Sequence, residues 1–305
     1  MITAKCIEDA AYRAITRGST NISPDVRAAF RAAIEKESDA GAKEGLEKTL
    51  QSIELAETAV LPACADTGWP IFFIKAGNEA QIEGGFMALE EAVKNAVRRA
   101  TKEGIIRKTM KDPLSGYDPG DNIGPNIPDF AYKFVPGDAV EITYCAKGGG
   151  SECFGGTRQK VVAFADGTQG IEKFVIDAFA DAARAGAICP PSVIGVGIGG
   201  TANVAANLAK EAAALRLVGS HHSDERIRTM EERLLKGING LGFGILGAGG
   251  DTSALAVNVE FAYTHIAGIV VAISCNCMVA RRGTVRIAGD NTVTDREGAY
   301  WFGDR

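Results

Sequence analysis

The chain has 305 residues, 46% apolar and 23% charged, with a formal net charge of −5. That is the balance of an ordinary soluble globular protein, long enough to bury a substantial core. The charge gives no electrostatic reason to expect nucleic acid or an anionic membrane as partner, and no window approaches the ~18–20 uninterrupted apolar residues of a membrane span. The opening MITAKCIEDAAYRAI carries early acids and lacks a signal-peptide core, so a cytoplasmic protein is expected.

Residues 3–17 read as a helix. Ser23-Pro24 supplies an N-cap and a proline at the first helical position, and Val26, Phe30 and Ile34 then form one apolar stripe. A third helix over about 42–57 completes a helical N-terminal layer. Leu61-Pro62-Ala63-Cys64-Ala65-Asp66-Thr67-Gly68 is a break with a cysteine and an acid two residues apart, and a strand over 70–75 follows. Residues 88–103 read as a helix stopped by Gly104. The stretch 105–130, rich in Pro, Gly, Asn and Asp, reads as a long functional loop.

Two apolar runs around Pro136-Gly137-Asp138 predict a hairpin over 131–145, which delivers the chain to Lys147-Gly148-Gly149-Gly150-Ser151-Glu152. A strand over 160–165 and a helix over 171–185 follow. Next comes CPPSVIGVGIGGTANVAANLAKEAAAL, from Cys189 to Leu215, which reads as strand, glycine corner and helix. Ser223 caps a charged helix to about 235, and a glycine-rich loop spans 240–250. Residues 255–261 alternate as a half-buried strand, and 269–274 form a last apolar strand ending at Cys275-Asn276-Cys277. With no repeat and no linker, the expectation is a single mixed α/β domain over 1–305, a helical layer packed on a mixed sheet, with 283–305 as an extended C-terminal tail.

Two readings compete at the Cys189–Leu215 stretch. Gly195, Gly197 and Gly200 satisfy G-x-G-x-x-G between a strand and a helix, the context of a dinucleotide loop. The acidic residue expected about 20 positions further on is missing, however, and a tight strand-to-helix turn explains the glycines as well. The seven cysteines offer the other reading. An odd set in a cytosolic chain is not a disulfide framework; metal binding, catalysis and burial are the alternatives. Cys6 and Cys145 fall inside elements, where burial explains them. Cys64, Cys189 and Cys277 fall at element ends beside Pro, Gly or polar turns, and could share an iron–sulfur cluster. With only three thiolates one iron keeps an open position, able to act as a Lewis acid on a hydroxyl and a carboxylate. Arg107 and Lys147 could clamp carboxylates, the Gly149 region could present backbone N–H groups, and Asp66 is a candidate acid/base or the cap of an Asx turn.

The motifs PACADTG (62–68), NIGPNIP (122–128), KGGGSE (147–152), CPPSVIGVGIGGT (189–201) and THIAGIVVAISCNCMVARR (264–282) resemble, in order, the alpha subunit of the two-chain class I iron–sulfur fumarase and L-tartrate dehydratase family of hydro-lyases. The resemblance spans roughly residues 20–285. It implies that Cys64, Cys189 and Cys277 hold a 4Fe–4S cluster with one open iron. Cys277 is preferred to Cys275 because the family cysteine is followed four residues later by an arginine, here Arg281. It implies that Asp66 is the active-site aspartate, that Arg107 binds a substrate carboxylate, and that the Gly149 region makes a backbone contact to the substrate. Where the family often has glutamine before the aspartate this chain has Ala65, which removes a side-chain amide from the substrate side. A separate beta subunit is implied as partner, in a heteromer with two copies of each chain. Within the family, GVGIGGT and KGGGSE favour reversible hydration of fumarate to L-malate, with dehydration of L-tartrate or a related hydroxy-diacid as the alternative. A closed-cluster electron-transfer protein, with Cys275, Cys153 or Cys145 as fourth ligand, is the rival from another class.

Overall fold

A computed structural model describes residues 1–298 and 301–302. In chain order it forms α1 (Ala4–Thr20), α2 (Pro24–Lys36), α3 (Ala40–Ala59), β1 (Trp69–Gly77) and α4 (Gly85–Lys102). Strands β2 (Asp129–Val135) and β3 (Val140–Lys147), the short helix α5 (Gly149–Cys153), β4 (Thr157–Val162) and α6 (Gly167–Arg184) follow. The last stretch holds β5 (Ser192–Ile198), α7 (Ala202–Leu215), α8 (Glu225–Asn239), β6 (Ala254–Phe261), β7 (Ile269–Asn276), β8 (Arg281–Ile287) and β9 (Val293–Arg296). The fold is mixed α/β, with mixed sheets and an N-terminal run of helices.

The chain divides into two compact units. Residues 1–23, 52–147 and 281–298 belong to the first, and residues 24–51, 148–280 and 301–302 to the second. No composition shift marks these passages because they occur directly before α2, within α3, directly after β3 and directly before β8.

The first unit is a five-stranded sheet in the order β2-β1-β3-β8-β9. Helices α1 and α4 cover it, and their apolar stripes (Ile7, Ala10, Ala14 and Leu89, Val93, Val97) meet Phe72, Ile74, Ile142 and Val285 in one core. Thr3 caps α1 by accepting the Cys6 N–H at 3.2 Å. The helix lies directly on β8: a Cβ at Gly283 would stand 2.1 Å from the Ala14 carbonyl oxygen. The hairpin expected over 131–145 is not formed. Strand β1 lies between its two arms, parallel to β2 and antiparallel to β3. The reason is hydrophobic: β1 is buried nearly throughout and takes the interior place, with a neighbour on each side. The 136–139 connection, at roughly 3.3–3.6 Å per residue, easily crosses the roughly 9–10 Å to the strand two places away.

The expected tail is also structured. Residues 281–287 and 293–296 are the strands β8 and β9, and β8 pairs with β3 from Val140↔Ile287 to Ala146↔Arg281. Arginine-rich RRGTVRI hides a strand whose residues are buried at six of seven positions. The part of the expected tail at 299–300 and 303–305 lies outside the described residues.

The second unit is a four-stranded sheet in the order β4-β7-β5-β6. Ile194 and Val196 of β5 join a core with α6 and α8 (Val175, Phe179, Met230, Leu234). Period-2 alternation turns Gly195 and Gly197 to the opposite face, against α7. Strand β6 is not half-buried as its alternation suggests. Ala256, Asn258 and Glu260 are buried as well as Val257 and Val259, because polar side chains on the second face have internal partners. Asn258 Nδ2 donates to the Ala212 carbonyl at 3.2 Å, and Glu260 pairs with Arg216 at 3.1 Å.

Candidate functional site

In the first unit the 62–68 motif folds into a turn that feeds β1. Ala63 N–H donates to the Ser19 carbonyl at the end of α1 (2.9 Å). The Asp66 carboxylate oxygen Oδ1 accepts the Gly68 N–H at 3.0 Å, the Asx turn that a D-x-G sequence allows. Thr67 is fully buried, and its hydroxyl accepts the Arg107 N–H at 2.9 Å while Arg107 Nη1 donates back to the Ala65 carbonyl at 2.7 Å. Thr109 Oγ1 donates to the Gly68 carbonyl at 3.2 Å. The turn carrying Cys64 and Asp66 is thus tied to the loop carrying Arg107, and both Asp66 and Arg107 are exposed.

Lys147, a candidate carboxylate clamp, is held in the sheet and not on a loop. It is the last residue of β3, opposite Trp69, and only 1% exposed. Asn122, a residue of the 122–128 motif, organises the Arg107 loop. It is buried in the left-handed region at φ 61°. Its Nδ2 donates to the Arg107 carbonyl at 2.8 Å and to Thr101 Oγ1 at 3.0 Å, and its Oδ1 accepts the Thr109 N–H at 2.9 Å. The available signal was Asn followed by Ile-Gly in the 122–128 motif, since asparagine tolerates positive φ.

In the second unit three stretches are stitched together. The glycines at 148–150 open α5 rather than a free loop. A Cβ at Gly150 would stand 1.8 Å from the Ala187 carbonyl oxygen, so the KGGGSE motif presses on the chain just before Cys189. Met278 N–H donates to the Cys189 carbonyl at 2.9 Å, and Cys275 N–H donates to the Gly156 carbonyl at 2.8 Å. Cys189 and Cys277 are therefore held by neighbouring backbone, with Gly149 close behind through Gly150. Cys189 is exposed and Cys277 half-buried. Cys275 points into the core with 1% exposure and packs with Ile188 and Ile273. The Pro190–Pro191 bond is cis, and the Pro190 carbonyl accepts the Leu246 N–H at 2.9 Å.

The glycine corner is resolved by the same geometry. Gly195 and Gly197 lie inside β5 and not in the turn after it. A Cβ on either would stand 2.0 Å from a carbonyl oxygen of α7, that of Ala209 or of Ala205 respectively. They let helix and strand touch. Gly199 and Gly200, at φ 82° and 70°, make the turn itself.

The donor chemistry fits an iron–sulfur group. All seven cysteines are outside disulfides, and Cys64, Cys189 and Cys277 sit on turns rather than in the core. Among the described residues no three His, Cys, Asp or Glu side chains converge as one metal ion requires. A cluster makes no such demand, because each thiolate takes a different iron. A second feature fits an anionic resident. Arg281, at the start of β8, is 1% exposed, and none of its three guanidinium nitrogens has a hydrogen-bond partner among the described residues.

A thiol and a carboxylate two residues apart, with an arginine locked behind them, suit an enzyme acting on an anionic small molecule. Comparison with known families makes that class specific. Residues 8–286 match the model of the fumarate hydratase (Fumerase) family, and the chain belongs to this family of hydro-lyases. It is 37% identical over 286 residues to a protein of Methanocaldococcus jannaschii provisionally named L(+)-tartrate dehydratase subunit alpha, covering 93% of this chain and 98% of that one. It is 36% identical over 232 residues to the L(+)-tartrate dehydratase subunit alpha of Escherichia coli UTI89, covering 76% of this chain and 74% of that one. The K12 strain's protein of the same name is 35% identical over the same length. No helix among the described residues is long and apolar enough to cross a membrane.

Proposed function

We propose that this chain is the alpha subunit of a cytoplasmic iron–sulfur hydro-lyase that removes water from L(+)-tartrate, working with a separate beta subunit in a heteromer with two copies of each. The observation that carries the proposal is the knot around the 64–68 turn, in which Arg107 and the Asp66 segment fix one another at 2.7 and 2.9 Å. An acid and a cation held in mutual register suit a substrate with a carboxylate beside its reacting carbon.

Cys64, Cys189 and Cys277 would hold the 4Fe–4S cluster, which when bound supplies an open iron as Lewis acid to the departing hydroxyl. Arg107 orients a substrate carboxylate, at close range and with charge assistance. Lys147, buried at the end of β3, adds a fixed positive charge on the same chain segment as the Gly149 backbone. Asp66 takes up or gives a proton at its carboxyl while Oδ1 stays anchored to the Gly68 N–H. Ala65 contributes only its carbonyl, which is already engaged by Arg107. Loss of water from tartrate leaves an enol, which tautomerises to a 2-oxo diacid.

The substrate choice follows the relatives, whose names favour tartrate over the fumarate suggested by GVGIGGT and KGGGSE. Hydration of fumarate to L-malate is the second reading, favoured by the description of the matching family. The test is anaerobic co-expression with the beta subunit, followed by kcat/KM for L(+)-tartrate, its enantiomer, L-malate and fumarate. The highest value is expected with L(+)-tartrate. A higher value for malate or fumarate selects the second reading, and no turnover of any hydroxy-diacid by an iron-loaded complex overturns both.

A further inference from the structure

The guanidinium of Arg281 is the least satisfied polar group in the described chain. It is 1% exposed, and its Nε, Nη1 and Nη2 all lack hydrogen-bond partners among the described residues. A buried cation in that state is costly, far more so than an unpaired neutral group, and an arginine cannot escape the cost by losing its proton. The cost recurs in every molecule, so the offset must come from an acceptor that stays in place, and a resident anion meets that need better than a substrate that comes and goes.

The surroundings say where that anion lies. Arg281 is opposite Ala146 in the β3–β8 register, and Gly283 is opposite Tyr144. Residues directly opposed share a face, so Arg281 leaves the sheet on the side of Ala146 and Tyr144. Tyr144 is fully buried, and its hydroxyl accepts from Ser19 Oγ at 3.4 Å. The Ser19 carbonyl in turn accepts the N–H of Ala63, the residue before Cys64. Burial raises the Tyr144 pKa, while the Ser19 hydrogen bond and then the positive charge of Arg281 pull it back, which keeps Arg281 within electrostatic reach of that phenol. All of these residues belong to the first unit.

We infer that Arg281 is the built-in counter-cation of the iron–sulfur group, donating to the Cys64 thiolate or a cluster sulfide from beneath the 64–68 turn. The inference rests on the proposed cluster and goes beyond its three ligands. Three thiolates leave such a cluster net anionic, and the five guanidinium donors can serve a thiolate and a sulfide together. Hydrogen bonds to cluster sulfurs and nearby charge are among the levers that set stability and potential.

The test uses the anaerobically loaded heteromer carrying Arg281→Met or Arg281→Lys. The readouts are the rate of iron release to a ferrous chelator, the cluster's reduction potential, and the melting temperature of the metal-free chain. Arg281→Met is expected to release iron about 10–100-fold faster, the usual effect of losing an outer partner of a metal ligand. Its potential should fall, because the added electron loses its nearest cation. Arg281→Lys, which keeps the charge but not the fork, should lie between the two. The metal-free Arg281→Met chain should melt no lower than the parent, since it loses an unpartnered charge and keeps the packing. Iron release and potential equal to the parent's would overturn the inference, and a lower metal-free melting temperature alongside them would make Arg281 a packing residue. A parent complex that takes up no cluster would instead defeat the functional reading on which it rests, so the two failures are separable. If Arg281→Met fails to fold, Arg281→Lys decides alone through iron release and potential.

Discussion

Replacing Gly197 by alanine tests the reading of the glycine corner as packing. The added Cβ would stand 2.0 Å from the Ala205 carbonyl oxygen, 2.8 Å from the Ala209 nitrogen and 2.9 Å from the Ala205 carbonyl carbon. All three are backbone atoms of α7, so no side-chain rotation relieves the clash. Ordinary contact needs roughly 3.5 Å, so the helix must retreat by roughly 1.5 Å along the strand it covers. Gly197 does not have a positive φ, so backbone strain adds nothing and the cost is steric. Overpacking of this kind costs about 1–3 kcal/mol, and an obstacle made of helix backbone belongs at the upper end. About 3 kcal/mol corresponds to roughly 100-fold in an equilibrium constant. Amide hydrogen exchange in β5 and α7 is therefore expected to quicken by roughly that factor, while α1 and β3 of the first unit keep their protection. Unchanged protection in β5 and α7, together with lost affinity for NAD(H) that the parent possesses, would refute the reasoning and restore the dinucleotide reading.

Serine substitutions at Cys64, Cys189 and Cys277 should each cut iron content in the anaerobically purified complex. Cys153→Ser and Cys275→Ser should leave it intact, because Cys275 is a core residue and Cys153 ends α5 on the surface; colorimetric iron per chain decides. Asp66→Asn keeps the acceptor for the Gly68 N–H and should leave the melting temperature near the parent's. It removes the proton-transfer group, so kcat should drop by about 10²–10⁴-fold, the range for general acid–base groups. Asn122→Ala removes four hydrogen bonds that hold the Arg107 loop and the end of α4. It should raise KM more than it lowers kcat, with faster exchange confined to 105–124. At the N-cap of α8, the Arg226 side-chain hydrogen bond and the Arg226 N–H hold the Asp224 pKa down at about 2, below the ordinary aspartate value of 3.8. Its folded value lies below the unfolded one, so its contribution is present above the unfolded pKa and lost as pH falls through about 2. NMR titration of this carboxyl should show that low midpoint in the parent and a value closer to that of a free aspartate in Arg226→Ala.

Helices were legible because their stripes face a core: of the Val26, Phe30 and Ile34 stripe of α2, Val26 and Phe30 are buried and Ile34 half-buried, as the i, i+4 spacing indicates. The cysteines at element ends were legible for a different reason, since Pro, Gly and Asp beside a thiol mark a turn whatever it carries. What resisted reading was the sheet. Adjacency in sequence suggests a hairpin, but pairing is decided by which strand is apolar enough to lie inside, and β1 takes that place. Strands β8 and, on one face, β6 were hidden by charged residues, because periodicity treats arginine and glutamate as surface. Here Arg282 is buried and donates to Ser23 Oγ at 3.1 Å, and Glu260 is buried with Arg216. The burial of Lys147 and the structural role of Asn122 were out of reach for the same reason: both depend on partners distant in sequence.

The central claim is a cluster with one iron open to substrate, held by this chain. A Mössbauer spectrum of the anaerobic heteromer, grown on isotopically enriched iron and recorded with and without L(+)-tartrate, addresses it most directly. The account expects one iron site to change its isomer shift and quadrupole splitting on addition of substrate while the others stay put, and expects that response to vanish in the Cys189→Ser complex. A cluster whose irons are all insensitive to tartrate, malate and fumarate would mean a closed set of ligands, and would contradict the assignment of this chain to the hydro-lyase reaction.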